Sequence, residues 1–150
     1  MGNTKSIGVA YSDQDIDGGT IGAVTPATVV GTTVYATSEI GYTAAAQGAV
    51  TQLTSKATAV TLDKSAGVIT MNNASLATAT NATFTLNNST ISAKDAVILT
   101  IAGGQATAGS YNVFANALAA GSVSITLRNI SGSTLSEAVV INFSIIHASA

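Results

Sequence analysis

Between Ser122 and Asn129 the apolar residues Val123, Ile125 and Leu127 alternate with Ser124, Thr126 and Arg128. A period of two gives an extended strand one apolar and one wet face, and it gives a helix neither. Residues 138 to 146 repeat the pattern, with Val139, Ile141, Phe143 and Ile145 on one side. The other side carries Val140, Asn142, Ser144 and Ile146. That half-apolar second side predicts a central strand or one that meets a neighbouring subunit.

Weaker strands are expected at Val50 to Thr54, Thr58 to Leu62, Gly67 to Met71, Ala82 to Leu86, Val97 to Ile101 and Tyr111 to Ala115. Turn residues separate them: Asp63-Lys64-Ser65-Ala66-Gly67, Asn87-Asn88-Ser89, Gly103-Gly104 through Gly109, and Ser131-Gly132-Ser133. Short strands at this spacing predict an all-β chain, an antiparallel β-sandwich or jelly roll of about eight strands. The Ala-rich piece Asn116 to Gly121 has the residues of a helical turn ended by its glycine, but it is too short to make a stable helix alone.

Residues 1–48 differ. Gly18, Gly19, Gly22, Gly31 and Gly41 and the single proline, Pro26, interrupt sparse apolar residues. Only Thr32 to Thr37, through Val34 and Tyr35, has strand character. The expected organisation is an extended N-terminal arm over 1–48 and a β-domain over 49–150.

Composition narrows the function. The 150 residues include 22 Thr, 16 Ser and 14 Gly, and 27 of the apolar residues are Ala, leaving 43 larger ones for a core. Only 12 residues are charged, against roughly a quarter in ordinary soluble proteins. So little charge protects poorly against self-association, and it implies that partner surfaces cover much of the domain. Lys5, Lys56, Lys64, Lys94 and Arg128 are scattered singly, which excludes a clustered phosphate-binding patch and with it a nucleic-acid partner. The absence of cysteine removes disulfides, thiolate metal sites and a cysteine nucleophile. The start lacks the apolar run of a signal peptide, and no apolar stretch approaches a membrane span, so cytoplasmic synthesis and no membrane partner are expected.

Candidate chemistry is sparse. The one histidine, His147, follows the last expected strand, a poor place for a general base. Asp13-Gln14-Asp15-Ile16-Asp17-Gly18 opens like a calcium loop, but its twelfth position is Val24 where such a loop needs a bidentate glutamate. Asp63, Asp95 and Glu137 are candidates for a carboxylate pair, yet each lies beside a turn, where solvation accounts for it. No catalytic, cofactor-binding or metal-binding residue is therefore assigned, and no cofactor is expected.

The segments Val50 to Lys56, Val60-Thr61-Leu62, Gly67 to Asn72 and Phe84 to Ser89, with Ile125 to Asn129 and Ala138 to Phe143, resemble a group of small tailed-phage structural proteins. These are capsid decoration, or cement, proteins. The likeness covers about two thirds of the chain, from Val50 onward, and its motifs are strand and turn patterns without a chemical signature. It implies a β-rich homotrimer on the outer surface of a phage capsid, with the major capsid protein of the head as partner and no catalytic residues. A phage fibre or receptor- or glycan-binding β-module is the alternative, with Tyr111 and Phe114 near the glycine-rich loop as the aromatics for sugar stacking.

Overall fold

The computed structural model describes residue 31 and residues 33–148. The chain divides between Glu39 and Ile40, and every strand among the described residues lies in the second unit. Residues 33–37 form no strand, so the expectation at Thr32 to Thr37 fails over its described part. Asp13 to Asp17 lie outside the described residues.

The fold is all-β. Among the described residues a single 3-10 turn, Ala44–Ala46, precedes eight strands: β1 (Gln47–Thr51), β2 (Val60–Thr61), β3 (Ala66–Thr70), β4 (Asn81–Asn87), β5 (Ala96–Gly103), β6 (Tyr111–Ala119), β7 (Ser122–Asn129) and β8 (Val140–Ile146). They form two four-stranded sheets in the orders β1-β3-β8-β5 and β2-β4-β7-β6. The two sheets pack as a sandwich, each lending its inner face to the core.

The pairing is mixed, which corrects the antiparallel expectation. The chain alternates between sheets from β1 to β4, so strands two apart in sequence become neighbours running the same way. β1 thus pairs with β3, and β2 with β4, in parallel. Parallel neighbours need a crossover, and here a strand of the opposite sheet supplies each one. Gly67 makes the first pair possible: a Cβ there would lie 2.7 Å from Gly48 O and 2.9 Å from the Phe143 ring.

β7 has the limits that alternation sets. Val123, Ile125 and Leu127 face inward and are fully buried, as are Val139, Ile141 and Ile145 of the last strand and its approach. β8 is central, between β3 and β5, and Phe143 completes its inner face. Among the described residues sixteen buried apolar side chains form one continuous cluster. Burying a side chain of the Leu or Ile kind contributes about 1.5–3 kcal/mol.

Three local expectations are corrected. Residues 40–48 belong to the sandwich and not to an arm, because Gln47 and Gly48 open β1 and the Tyr42 hydroxyl donates to Ile145 O. The Ala-rich piece is not helical: β6 continues through Ala119 with a bulge between Asn116 and Leu118, where Ala117 takes a φ of 49°. Pairing with β7 overrides the helix preference of alanine, since isolated turns of this length do not hold. Thr126, expected to be wet, is 3% exposed.

Candidate interaction surface

Arg128 is the only charged residue in the eight strands. Every other charge of the described β-domain lies in a connection or beyond β8. On the first sheet, register places Gln47, Ala66, Ser144 and Ile98 in one outward row, with Ala49, Val68, Asn142 and Thr100 in the next. At one end of this face a groove of ≈ 720 Å³ is lined by Ile40, Tyr42, Gln47, Ile98, Ile146 and His147. Ile40, Ile98 and Ile146 are 78%, 50% and 57% exposed.

The outer face of the second sheet is a ladder of hydroxyls and amides. Thr126 Oγ1 donates to Asn116 Oδ1 at 3.0 Å and therefore accepts from Thr83 Oγ1 at 2.8 Å. Thr126 is buried under these neighbours without facing the core. Asn81 at 3.4 Å from Arg128 continues the ladder, and Phe114, 41% exposed, is its one aromatic.

The chemistry-bearing residues turn inward to hold loops. Asp95 is buried, and its carboxylate accepts from Ser92 N at 2.8 Å, Ser92 Oγ at 2.7 Å and Ala148 N at 3.0 Å. His147 Nδ1 is 2.8 Å from Asp95 Oδ2. The Ser92 backbone N–H and then its hydroxyl hold the acid far below the usual carboxylate range; burial opposes this, and Ala148 and His147 add to it. Ser92, Asp95 and His147 are the residue types of a hydrolytic triad, but both partners spend their bonds on the aspartate. A triad needs the imidazole between serine and acid, and this arrangement instead fastens the end of β8 to the start of β5.

Glu137 is a second knot. Its Oε1 accepts from Ala106 N at 2.6 Å, and its backbone carbonyl, with Asn72 O, accepts from Lys56 Nζ. Lys56 is 4% exposed, and burial lowers its pKa while the Glu137 charge partly restores it. The Tyr111 hydroxyl lies beside the Glu137 carboxylate without an aligned hydrogen bond. Burial first, and then Glu137, push its phenol upward. Tyr111 is thus buried and cannot present a stacking face. Asp63 is separate: it accepts from Ser89 N at 2.7 Å, which lowers its pKa.

The three candidate carboxylates therefore serve three different loops. Among the described residues, no three His, Cys, Asp or Glu side chains converge on a possible metal position, and no helix is long and apolar enough to cross a membrane. Sequence reasoning missed the His147–Asp95 pair and buried Lys56, because both are long-range contacts, 52 and 81 residues apart for His147–Asp95 and Lys56–Glu137. No family model, curated protein or solved structure matches the chain.

Proposed function

We propose that this chain is a non-enzymatic structural protein of a phage particle, a homotrimer that decorates the outer capsid surface and stabilises it by bridging major capsid subunits. The observation that carries the reading is that the strands bear one charged residue between them. Broad, regular, uncharged faces suit packing against protein, where each charge buried without a partner would cost several kcal/mol. The resemblance from Val50 onward supplies the phage head as the setting. Asp63, Asp95, Glu137 and His147 are engaged in joining loops, which fits a rigid structural module.

The test is co-sedimentation of purified protein with phage heads that lack it, followed by heating of decorated and bare heads. Binding at regular shell positions with a raised head-disruption temperature is expected. Failure to bind heads would sink the decoration reading. A glycan-binding fibre module is the second reading, favoured by Phe114 exposed between Asn112 and Asn116 on the ladder face. Glycan binding lost in Phe114→Ala would select it.

A further inference from the structure

The two sides of the sandwich are finished differently. At the β1/β2 side the chain lays residues 52–64 across the opening. Gln52 is buried there and donates to Thr58 O at 2.8 Å and Lys56 O at 3.2 Å, while Leu62 fills the space beside Gly48 and Gly67. At the β5/β6 side no described segment does this. Val97, Leu99 and Ile101 of β5 and Val113 and Leu118 of β6 are core-facing but only partly buried. Their counterparts on the central strands β7 and β8 are closed to solvent.

The backbones at this side are open too. β5 and β6 are edge strands of eight and nine residues, and neither contains a charge or a proline. Edges of soluble proteins are ordinarily protected by those residues or by a covering segment. Among the described residues these two edges, one from each sheet, are left uncovered on one side of the sandwich, flanked by exposed Ile98 and Phe114.

We infer that copies of this chain join through this side, β5 of one copy pairing with β6 of the next around a three-fold axis. The inference deepens the self-association part of the proposed function and is independent of the shell. Neither edge offers a charge for a charged partner to meet, and the chain's own edges are complementary to each other. Two unlike edges make a head-to-tail contact, which closes into a ring where the rotation allows and otherwise runs on as a filament; the three-fold ring is the closed form that matches the proposed trimer.

The open strip is small. Eight residues span ~27 Å, and packed sheets lie ~10 Å apart, so it covers about 270 Å². Contact through the strip alone falls short of the about 800 Å² per partner of a stable interface, so the outward Ile98 and Phe114 that flank it belong to the contact as well.

Register agrees. The bulges leave 96–101 of β5 and 111–116 of β6 as regular stretches. Aligning these antiparallel, with inner faces kept inward, sets Leu99 opposite Val113, Thr100 opposite Asn112, and Ile98 opposite Phe114. The two exposed apolar side chains of these strands then meet each other. Cross-strand aromatic and β-branched pairs of this kind are stabilising.

The chain has no cysteine, so introduced cysteines report the contact without background. Light scattering of the full chain at micromolar concentration should give three chain masses. The double variant Thr100→Cys/Asn112→Cys should oxidise to a covalent ladder ending at three chains, while either single variant stays uncross-linked. Ile98→Lys, exposed enough to leave folding intact, should shift the mass to one chain and keep a cooperative melt. A one-chain mass for the unaltered protein overturns the inference, as does covalent dimer from Thr100→Cys alone, which would mean β5 against β5. So does a three-chain mass that neither Ile98→Lys nor the cysteine pair affects. Head binding by a one-chain protein would refute this interface and leave decoration standing; a trimer that ignores heads would do the reverse.

Discussion

His147 Nδ1 lies 2.8 Å from Asp95 Oδ2, joining the end of β8 to the residue that precedes β5. The carboxylate's pKa is held below its ordinary value by four donors, so its deprotonated form is favoured by folding. Stability from this source is present above the unfolded carboxylate pKa of about 3.9. It is lost as pH falls through the lower folded value. The melting temperature should therefore decline as the solution is taken below about pH 4, the unfolded carboxylate range. Asp95→Asn should melt lower at neutral pH and lose much of that acid-side slope, as thermal scans at several pH values would show.

Gly104 has a φ of +80°, and a Cβ there would lie 2.1 Å from Ala138 O. The left-handed backbone alone costs a larger residue about 1–2 kcal/mol, and the overlap with a carbonyl adds about 1–3 kcal/mol. Gly104→Ala should lose roughly 2–5 kcal/mol in denaturant unfolding. Gly132→Ala, with open space around its Cβ position, should stay within about 0.5 kcal/mol.

On β7, neighbouring residues should fail for different reasons. Ile125→Ala opens a cavity in the core and should cost about 2–5 kcal/mol. Thr126→Val leaves Asn116 and Thr83 without the hydroxyl that links them and should cost about 1–2 kcal/mol. Ser124→Ala, on the same outer face, should be nearly neutral. Equal losses for Thr126→Val and Ser124→Ala would contradict the hydroxyl ladder.

The bulge residue Ala117, at φ 49°, should be improved by glycine. Relief of the left-handed conformation, about 1–2 kcal/mol, exceeds the added chain entropy of about 0.5–1 kcal/mol. Ala117→Gly should gain up to about 1 kcal/mol, and a loss would mean that the alanine methyl packs.

Truncation separates the two proposed starts of the domain. A fragment 40–150 keeps β1 and the Tyr42–Ile145 hydrogen bond and should melt close to the full chain. A fragment 49–150 lacks the first two residues of β1 and exposes part of the β3 edge, so it should melt earlier or aggregate. Equal melting of both fragments would return residues 40–48 to the arm.

Strands were legible where one face meets the core and the other meets water. β7 is the clearest case, and β4 and β8 follow with alternating burial. β2 is two residues long, too short for a period to show. The parallel pairs were hidden because alternation records the facing of a strand and says nothing of its neighbour. Thr126 misled for a related reason: a threonine on an outer face reads as wet until Asn116 and Thr83 are known to cover it. Lys56 and His147 look like isolated polar residues in sequence, and only their partners make them structural. The uncharged composition was the most direct guide to the candidate surface, since it left the strands almost free of charge.

The placement of β8 sets the order in which the molecule can be built. The second sheet is complete once residue 129 has been made, but β8 must enter between β3 and β5, so the first sheet waits for residues 140–146. Until then the edges of β3 and β5 that β8 comes to occupy are unpaired, uncharged and available to other chains. Folding dominated by such distant pairings is slow and exposed to misassembly. Completion of the first sheet therefore depends on the insertion of β8 between β3 and β5, the step at which correct pairing competes with pairing to other chains.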